Sequence, residues 1–269
     1  MDGTREAEGE ARPSSPAQVR TTRTRLLSVP LAALQFLTLT PPIVRRPFTP
    51  VEMGWSVSCF PLVGALLGGL LAGLNWSLAR LFPAGVSAAL LLASWVGITG
   101  ALHLDGLLDA CDGLFGGRTP ESRLRIMRDE RVGAFGVAGG VLLLLLKATA
   151  LTVVAPRLTP LLLAPTLARW SMALAIVAFP YARTRGVGRA MKDHAGWGQA
   201  TLATVVALAV AWFAGGWMGL VAAALAVVTT GALAGFALSR LPGLTGDVYG
   251  AVCEVVETVV LLLFVVDVA

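Results

Sequence analysis

His103-Leu104-Asp105-Gly106-Leu107-Leu108-Asp109-Ala110-Cys111-Asp112-Gly113 closes an apolar run that begins near residue 86. The run is long enough to approach the roughly 20 residues that a bilayer-spanning helix needs. The acids mark where it leaves the hydrocarbon, far from the next acid upstream, Glu52. Asp105, Asp109 and Asp112 stand at i, i+4 and i+7. On one continuous helix those positions lie within roughly 40° of one another and aim three carboxylates at one point. Like charges so placed repel, and a hard divalent cation relieves them, because Mg²⁺ takes carboxylate oxygens and can also hold substrate phosphates. A solvated helix end with scattered acids is the alternative reading.

Composition carries the membrane reading to the whole chain. Of 269 residues, 56% are hydrophobic and only 14% charged, against about 25% charged in a soluble domain. The expected fold is an all-α, polytopic helical bundle in a membrane. The net charge of +5 does not point to nucleic acid, since the basic residues cluster in loops between apolar segments. Cys59, Cys111 and Cys253 have no metal-ligand spacing and imply free thiols rather than a disulfide framework.

Residues 1–25, rich in Glu, Arg, Ser, Pro and Thr, read as a disordered tail, and 26–269 as one membrane catalytic domain. Leu26 to Thr40 is apolar but short and is stopped by Pro41-Pro42, as an interfacial or re-entrant segment would be. Seven longer stretches follow near 55–76, 86–104, 133–155, 159–179, 199–214, 217–237 and 248–267. Only Gly215-Gly216 separates the fifth from the sixth, so that pair reads as a tight hairpin, or as one span in a count of six. Arg118, Arg123, Arg125, Arg128, Arg131, Arg183, Arg185, Arg189, Lys192 and Arg240 fall in alternate loops, whereas the opposite loops hold only Arg80 and Arg157. That bias places the N-terminus, and with it Asp105, Asp109, Asp112 and Asp247, at the cytoplasmic face.

A second acidic set, Asp247, Glu254 and Glu257, shares one broad face of the last helix. Acids inside an apolar helix are costly and should face the bundle interior. Gly243-Leu244-Thr245-Gly246 before them suits a tight turn beside a ligand. Lys147 and Arg169 are cations well inside other spans, readable either as functional groups or as partners of Glu254 or Glu257. Arg125 and Arg128 share a face and suit bidentate phosphate contacts, although positive-inside charge alone explains most of that loop. His103 reads more simply as a hydrogen-bonded helix residue than as a base, and His194 as solvent-exposed. The basic loop Arg183-Thr184-Arg185-Gly186-Val187-Gly188-Arg189 lacks a nucleotide-hydrolysis signature, yet such a loop can wrap an anion. Acids on two helices with cations beside them point to metal-assisted phosphoryl or phosphodiester transfer at a membrane surface.

The stretch His103 to Arg118 closely resembles the signature of the cobalamin synthase family, the adenosylcobinamide-GDP ribazoletransferases. The likeness continues through Arg125 to Asp129, Gly133 to Val137 and Lys147. It reappears at Phe60 to Gly64, Pro180 to Arg183, and Gly243 to Asp247 with Glu254 and Glu257. The resemblance implies a Mg²⁺-dependent enzyme of the bacterial inner membrane. In it, a hydroxyl of α-ribazole or its 5′-phosphate attacks the cobinamide-linked phosphate of adenosylcobinamide-GDP and GMP leaves. It implies Asp105, Asp109 and Asp112 as the metal and diphosphate site, with Asp247 and Glu254 joining them as catalytic carboxylates. Arg118, Arg125 and Arg128 would meet phosphate, and His103, Lys147, Arg183 and Glu257 would complete substrate binding. Contacts with other cobalamin-assembly enzymes, and a homo-oligomer, stay open. One departure is Leu39, which stands where the family often has an Arg; any role of that Arg falls away or passes to Arg45 or Arg46. A CDP-alcohol phosphotransferase of lipid synthesis fits less well, since Asp109-Ala110 breaks its Asp-Gly-x-x-Ala-Arg pattern. A proton-coupled transporter would show paired internal repeats, which this chain lacks.

Overall fold

In hydrocarbon every backbone N–H and C=O must be satisfied within its own segment, so leucine-, alanine- and valine-rich runs fold as helices. A computed structural model of the chain describes residues 28–154 and 158–266. The expected tail at 1–25, the first two residues of the 26–40 segment, Arg157 and position 267 lie outside the described residues. Helices make up all the regular structure among the described residues. They are α1 (Ser28–Leu37), α2 (Pro50–Ser56), α3 (Phe60–Leu81), α4 (Ala84–Ile98), α5 (Leu102–Cys111), α6 (Pro120–Ile126), α7 (Ala134–Val154), α8 (Leu158–Ala178), α9 (Val187–His194), α10 (Trp197–Leu238) and α11 (Gly246–Val266). A single 3₁₀ turn joins α2 to α3, and a five-residue π-helical turn, Asp112–Gly116, extends α5.

Five of these helices are long and apolar enough to cross a membrane, or six if the bent pair α4–α5 is one span. The chain is a multi-pass membrane protein. That count treats α10 as one helix, but Gly216 at φ 55°, ψ −132° breaks it. A Cβ on Gly219 would collide with the carbonyl of Ala211. Residues eight apart on a continuous helix are separated by about 12 Å, so the chain reverses at Gly216 into the hairpin that the sequence suggests.

Two expected boundaries are corrected. The stretch expected near 55–76 is helical from Pro50 to Leu81, because Thr49 and Glu52 form a reciprocal capping box that starts α2 early. The stretch expected at 86–104 is not continuous. It turns by 90° between α4 and α5, with Gly100 and Ala101 at φ 61° and 55°. Leu39 seals that corner: its N–H donates to the Ile98 carbonyl at 2.8 Å, and its side chain covers Gly100. The residue that departs from the family pattern thus has a packing role. The short segment expected at 26–40 is α1, whose Ala33 and Leu37 are buried and whose Phe36 stacks on Phe60.

The bundle is built around α8, which packs against α3, α10 and α11. Without a hydrophobic drive between helices in lipid, close packing needs small residues. On α3 these are Gly64 and Gly68, one turn apart, which lie against the α8 backbone at Pro165–Thr166 and Leu161–Leu162. Pro165 has no N–H for the Leu161 carbonyl, and that carbonyl faces Gly68. Gly69, by contrast, has open space around it. Gly64→Leu should therefore abolish recovery of monodisperse protein in detergent, while Gly69→Leu should elute and melt like the wild type in size-exclusion and thermal-unfolding runs.

Candidate active site

Glycine also brings the two acidic helices together. A Cβ on Gly250 would lie 2.9 Å from the His103 carbonyl, and one on Gly106 would lie 3.1 Å from the Asp247 carbonyl. Helices α5 and α11 therefore cross with their backbones nearly touching, and Asp247 comes beside the acids of α5. Asp109 experiences Asp105, Asp247 and Asp112 as like charges and Arg183 as the opposing one. Asp105 is exposed and Asp109 half-buried, and neither carboxylate has a hydrogen bond or ion pair among the described residues.

Arg183 reaches this group from the loop after α8. Two backbone hydrogen bonds hold that loop against the turn before α11: Ala182 N–H to the Leu244 carbonyl and Leu244 N–H to the Pro180 carbonyl, both 2.8 Å. Its guanidinium forms an ion pair with Asp247 and donates to the Met127 carbonyl at 3.1 Å. Thr245 Oγ1 also donates to Asp247, at 3.1 Å. Tyr181, next to this loop, has its hydroxyl pushed above the usual range by burial, with the Arg183 charge opposing.

Asp112 lies within electrostatic reach of Asp109, but its carboxylate is engaged. Its two oxygens accept the N–H groups of Gly133 at 2.6 Å and Gly136 at 2.8 Å. It caps the start of α7, where the sequence supplies no capping side chain of its own and the helix end favours a negative charge. Asp112 thus ties α5 to α7, while the carboxylates of Asp105 and Asp109 are left without partners among the described residues.

Glu254, Glu257 and Lys147 are also drawn away from the site. Lys147 Nζ lies 2.6 Å from Glu254 and is paired with Glu257, which is paired in turn with Arg169. All four are buried. Of the two readings of Lys147 and Arg169, the structure selects partners of the glutamates, and the cluster pins α7, α8 and α11 beneath the site. His103 is buried above it, with neither ring nitrogen hydrogen-bonded, so it is not the hydrogen-bonded helix residue expected. Arg118, Arg125 and Arg128 are exposed. Arg128 follows Met127, the residue that Arg183 grips, so it stands at the edge of the site. Arg46 makes two hydrogen bonds to Glu52, at 2.8 and 2.6 Å, and serves the fold of the N-terminal segment.

A cavity of about 310 Å³ opens beside these groups, lined by Asp105, Gly106, Arg183 and Asp247 among others. It brings in Arg185 from the basic loop, and Tyr249, Met172 and Phe36, to which the sequence assigned no site role. The period of α11 places Tyr249 two residues after Asp247, but nothing in the sequence marked it as cavity-facing. Among the described residues no three His, Cys, Asp or Glu side chains converge into a metal cage. Mg²⁺ does not require one, since it is commonly held by one or two carboxylates with waters and substrate phosphates. Asp105 and Asp109, one turn apart and without partners, fit that pattern.

Fold and site together define a multi-pass helical membrane protein with a carboxylate-and-arginine centre at one end of its bundle. The sequence profile described as cobalamin-5-phosphate synthase matches residues 30–265. The adenosylcobinamide-GDP ribazoletransferase of Roseiflexus sp. (strain RS-1) is 40% identical over 230 residues, covering 85% of this chain and 86% of that protein. The enzyme of the same name from Pseudomonas paraeruginosa is 43% identical over 240 residues, 86% of this chain and 95% of that one. The one from Deinococcus radiodurans is 40% identical over 232 residues, 85% and 82% respectively. The chain belongs to the cobalamin-5-phosphate synthase family. No solved structure matches it.

Replacing Lys147 by Met leaves two glutamates sharing one arginine in an apolar interior. Breaking a buried ion pair in this one-sided way costs about 3–5 kcal/mol, so Lys147→Met should lower the thermal midpoint markedly. The second substitution in Lys147→Met/Glu254→Leu should restore part of that loss.

Proposed function

We propose that this chain joins adenosylcobinamide-GDP to α-ribazole or its 5′-phosphate and releases GMP, completing the nucleotide loop of cobalamin. The supporting observation is the α5–α11 crossing, which sets the free acids Asp105 and Asp109 beside the Asp247–Arg183 pair at the mouth of a cavity. In the transfer, a ribose hydroxyl attacks the cobinamide-linked phosphorus. The new P–O bond forms as the bond to GMP breaks, and GMP departs with the electron pair. The hydroxyl proton passes to one of the carboxylates at the crossing, Asp105, Asp109 or Asp247. Arg183, fixed by Asp247 and the Met127 carbonyl, presents its remaining donor edge toward the transferred phosphate. Arg128, with Arg125 and Arg118 farther along the same loop, attracts the diphosphate electrostatically. Mg²⁺ held by Asp105 and Asp109 would neutralise the diphosphate and the developing charge on the leaving phosphate. Asp112, Lys147, Glu254 and Glu257 contribute by holding α5, α7 and α11 in place, not by touching substrate.

Charge also orients the site. The segments between α5 and α7, between α8 and α10 and just before α11 carry nine of the 13 arginines among the described residues and meet at the end of the bundle that holds the site. By the positive-inside rule this end is cytoplasmic, in a bacterial inner membrane. The family match favours this reading over the lipid-synthase and transporter alternatives.

The deciding assay is GMP release by purified protein given adenosylcobinamide-GDP and α-ribazole. Release should require Mg²⁺ and fall by about a hundredfold or more in Asp109→Asn, as loss of a group acting in the transition state does. Asp112→Asn, which keeps one capping acceptor, should retain Mg²⁺ dependence with a lowered melting temperature. No release from folded wild-type protein would sink the proposal.

A further inference from the structure

The cavity is uneven in its chemistry. Its mouth carries Asp105, Asp247, Arg183 and Arg185, whereas its inner wall is Phe36, Met172, Ile176 and Met191, with Tyr181 and Tyr249 along one side. The two tyrosine rings stack with centroids 5.9 Å apart and planes 22° apart. Inside, polar groups are few and unpaired: the Tyr249 hydroxyl, both His103 ring nitrogens and Arg183 Nε are buried without a hydrogen-bond partner. Buried polar atoms ordinarily find partners, so these are groups that a ligand could satisfy.

We infer that this cavity is the acceptor pocket of the transfer. It takes a nucleoside whose base is a flat, mostly apolar heteroaromatic ring system, turns the sugar toward Asp105 and Asp247, and keeps Arg185 for a phosphate on that sugar. The inference rests on the transferase reading above and deepens it by assigning the pocket to one substrate. Guanine is the competing occupant, because the donor substrate carries it. Its edge is crowded with donors and acceptors, and an apolar wall would strand most of them at the cost of lost hydrogen bonds. A base with methylated edges and one free ring nitrogen loses little there, and that nitrogen can accept from Tyr249 or His103. The corrin macrocycle is too large for about 310 Å³. The tyrosine pair supplies an aromatic wall for the base.

Arg185 completes the assignment. Of the three arginines on this loop, Arg183 is paired with Asp247 and Arg189 with Asp193. Arg185 lines the cavity, is exposed, and has no ion pair among the described residues. An unpaired guanidinium at the mouth suits a terminal phosphate and distinguishes a nucleotide acceptor from a nucleoside.

The test titrates α-ribazole, α-ribazole 5′-phosphate and guanosine onto detergent-purified full-length protein by calorimetry, with GMP release followed in parallel. Tyr181→Leu should weaken α-ribazole about tenfold, the scale of one base–aromatic stack, and leave the KM for adenosylcobinamide-GDP within about twofold. Arg185→Gln should weaken the 5′-phosphate about tenfold and α-ribazole less than about twofold. Should Tyr181→Leu fail to fold, Val187→Trp at the exposed rim narrows the same cavity and is read in the same way. Guanosine binding more tightly than α-ribazole, a loss confined to adenosylcobinamide-GDP, or unchanged α-ribazole affinity in a folded variant would each overturn the inference. Binding is read without turnover, so α-ribazole binding without GMP release would count against the transferase reading and leave the pocket assignment standing.

Discussion

Two glutamates, a lysine and an arginine neutralise one another at the centre of an apolar bundle, and the register of α7, α8 and α11 follows from that arrangement. Glu254 and Glu257 lie on α11, Lys147 on α7 and Arg169 on α8. An ionised group in hydrocarbon is tolerated only beside its counter-charge, so none of the three helices can rotate or slide by a turn without stranding a charge. The cluster is weak evidence for net stability, because desolvation consumes much of the Coulombic gain. Its consequence is specificity of register. With α11 held against α7 and α8, Asp247 is presented at a fixed height, about two turns above Glu254.

On this frame α5 is added with little freedom. Gly106 and Gly250 let its backbone lie against α11, and the Asp112 carboxylate ties its far end to α7 by accepting from two backbone N–H groups. The two contacts use opposite chemistry, one the absence of side chains and the other a charge at a helix end. Between them sit Asp105 and Asp109, the acids left without partners. A site whose members are held by rigid helices rather than by loops is preorganised for a phosphate-bearing substrate. The one loop-borne member, Arg183, is fixed by the backbone bridge between the segments around Tyr181 and Leu244.

Much of this was legible in the sequence, and the failures have physical causes. Hydropathy and charge bias revealed the membrane bundle, and the paired glycines at 215–216 marked the hairpin. The corner after Thr99 was hidden because the apolar run continues across it to Leu104, and a composition window cannot see a change of direction. The i, i+4, i+7 spacing correctly put Asp112 on the face of Asp105 and Asp109, but spacing says nothing about competition for a carboxylate. The signal was elsewhere: α7 starts at Val132-Gly133-Ala134 with no Ser, Thr, Asp or Asn to cap it, so its free N–H groups had to find an acceptor from outside. Lys147 and Arg169 were recognisable as ion-pair partners because two acids and two bases inside apolar spans cannot remain apart. Tyr249 was missed because cavity lining is a property of three dimensions, not of local pattern.

The same reasoning explains why a reaction between polar, phosphate-bearing molecules can be built on a membrane bundle. Water competes for every hydrogen bond that positions a soluble active site, whereas the Lys147–Glu254–Glu257–Arg169 cluster is buried and its pairs are not exchanged for hydration. Charges buried in this way resist rearrangement and hold the ends of α7 and α11 nearest the site at a set spacing. The ends themselves are polar and wet, as a phosphate site must be. The buried cluster thus contributes rigidity about two to three helical turns below the chemistry, and the arginine-rich loops supply the positive field in which a diphosphate would bind.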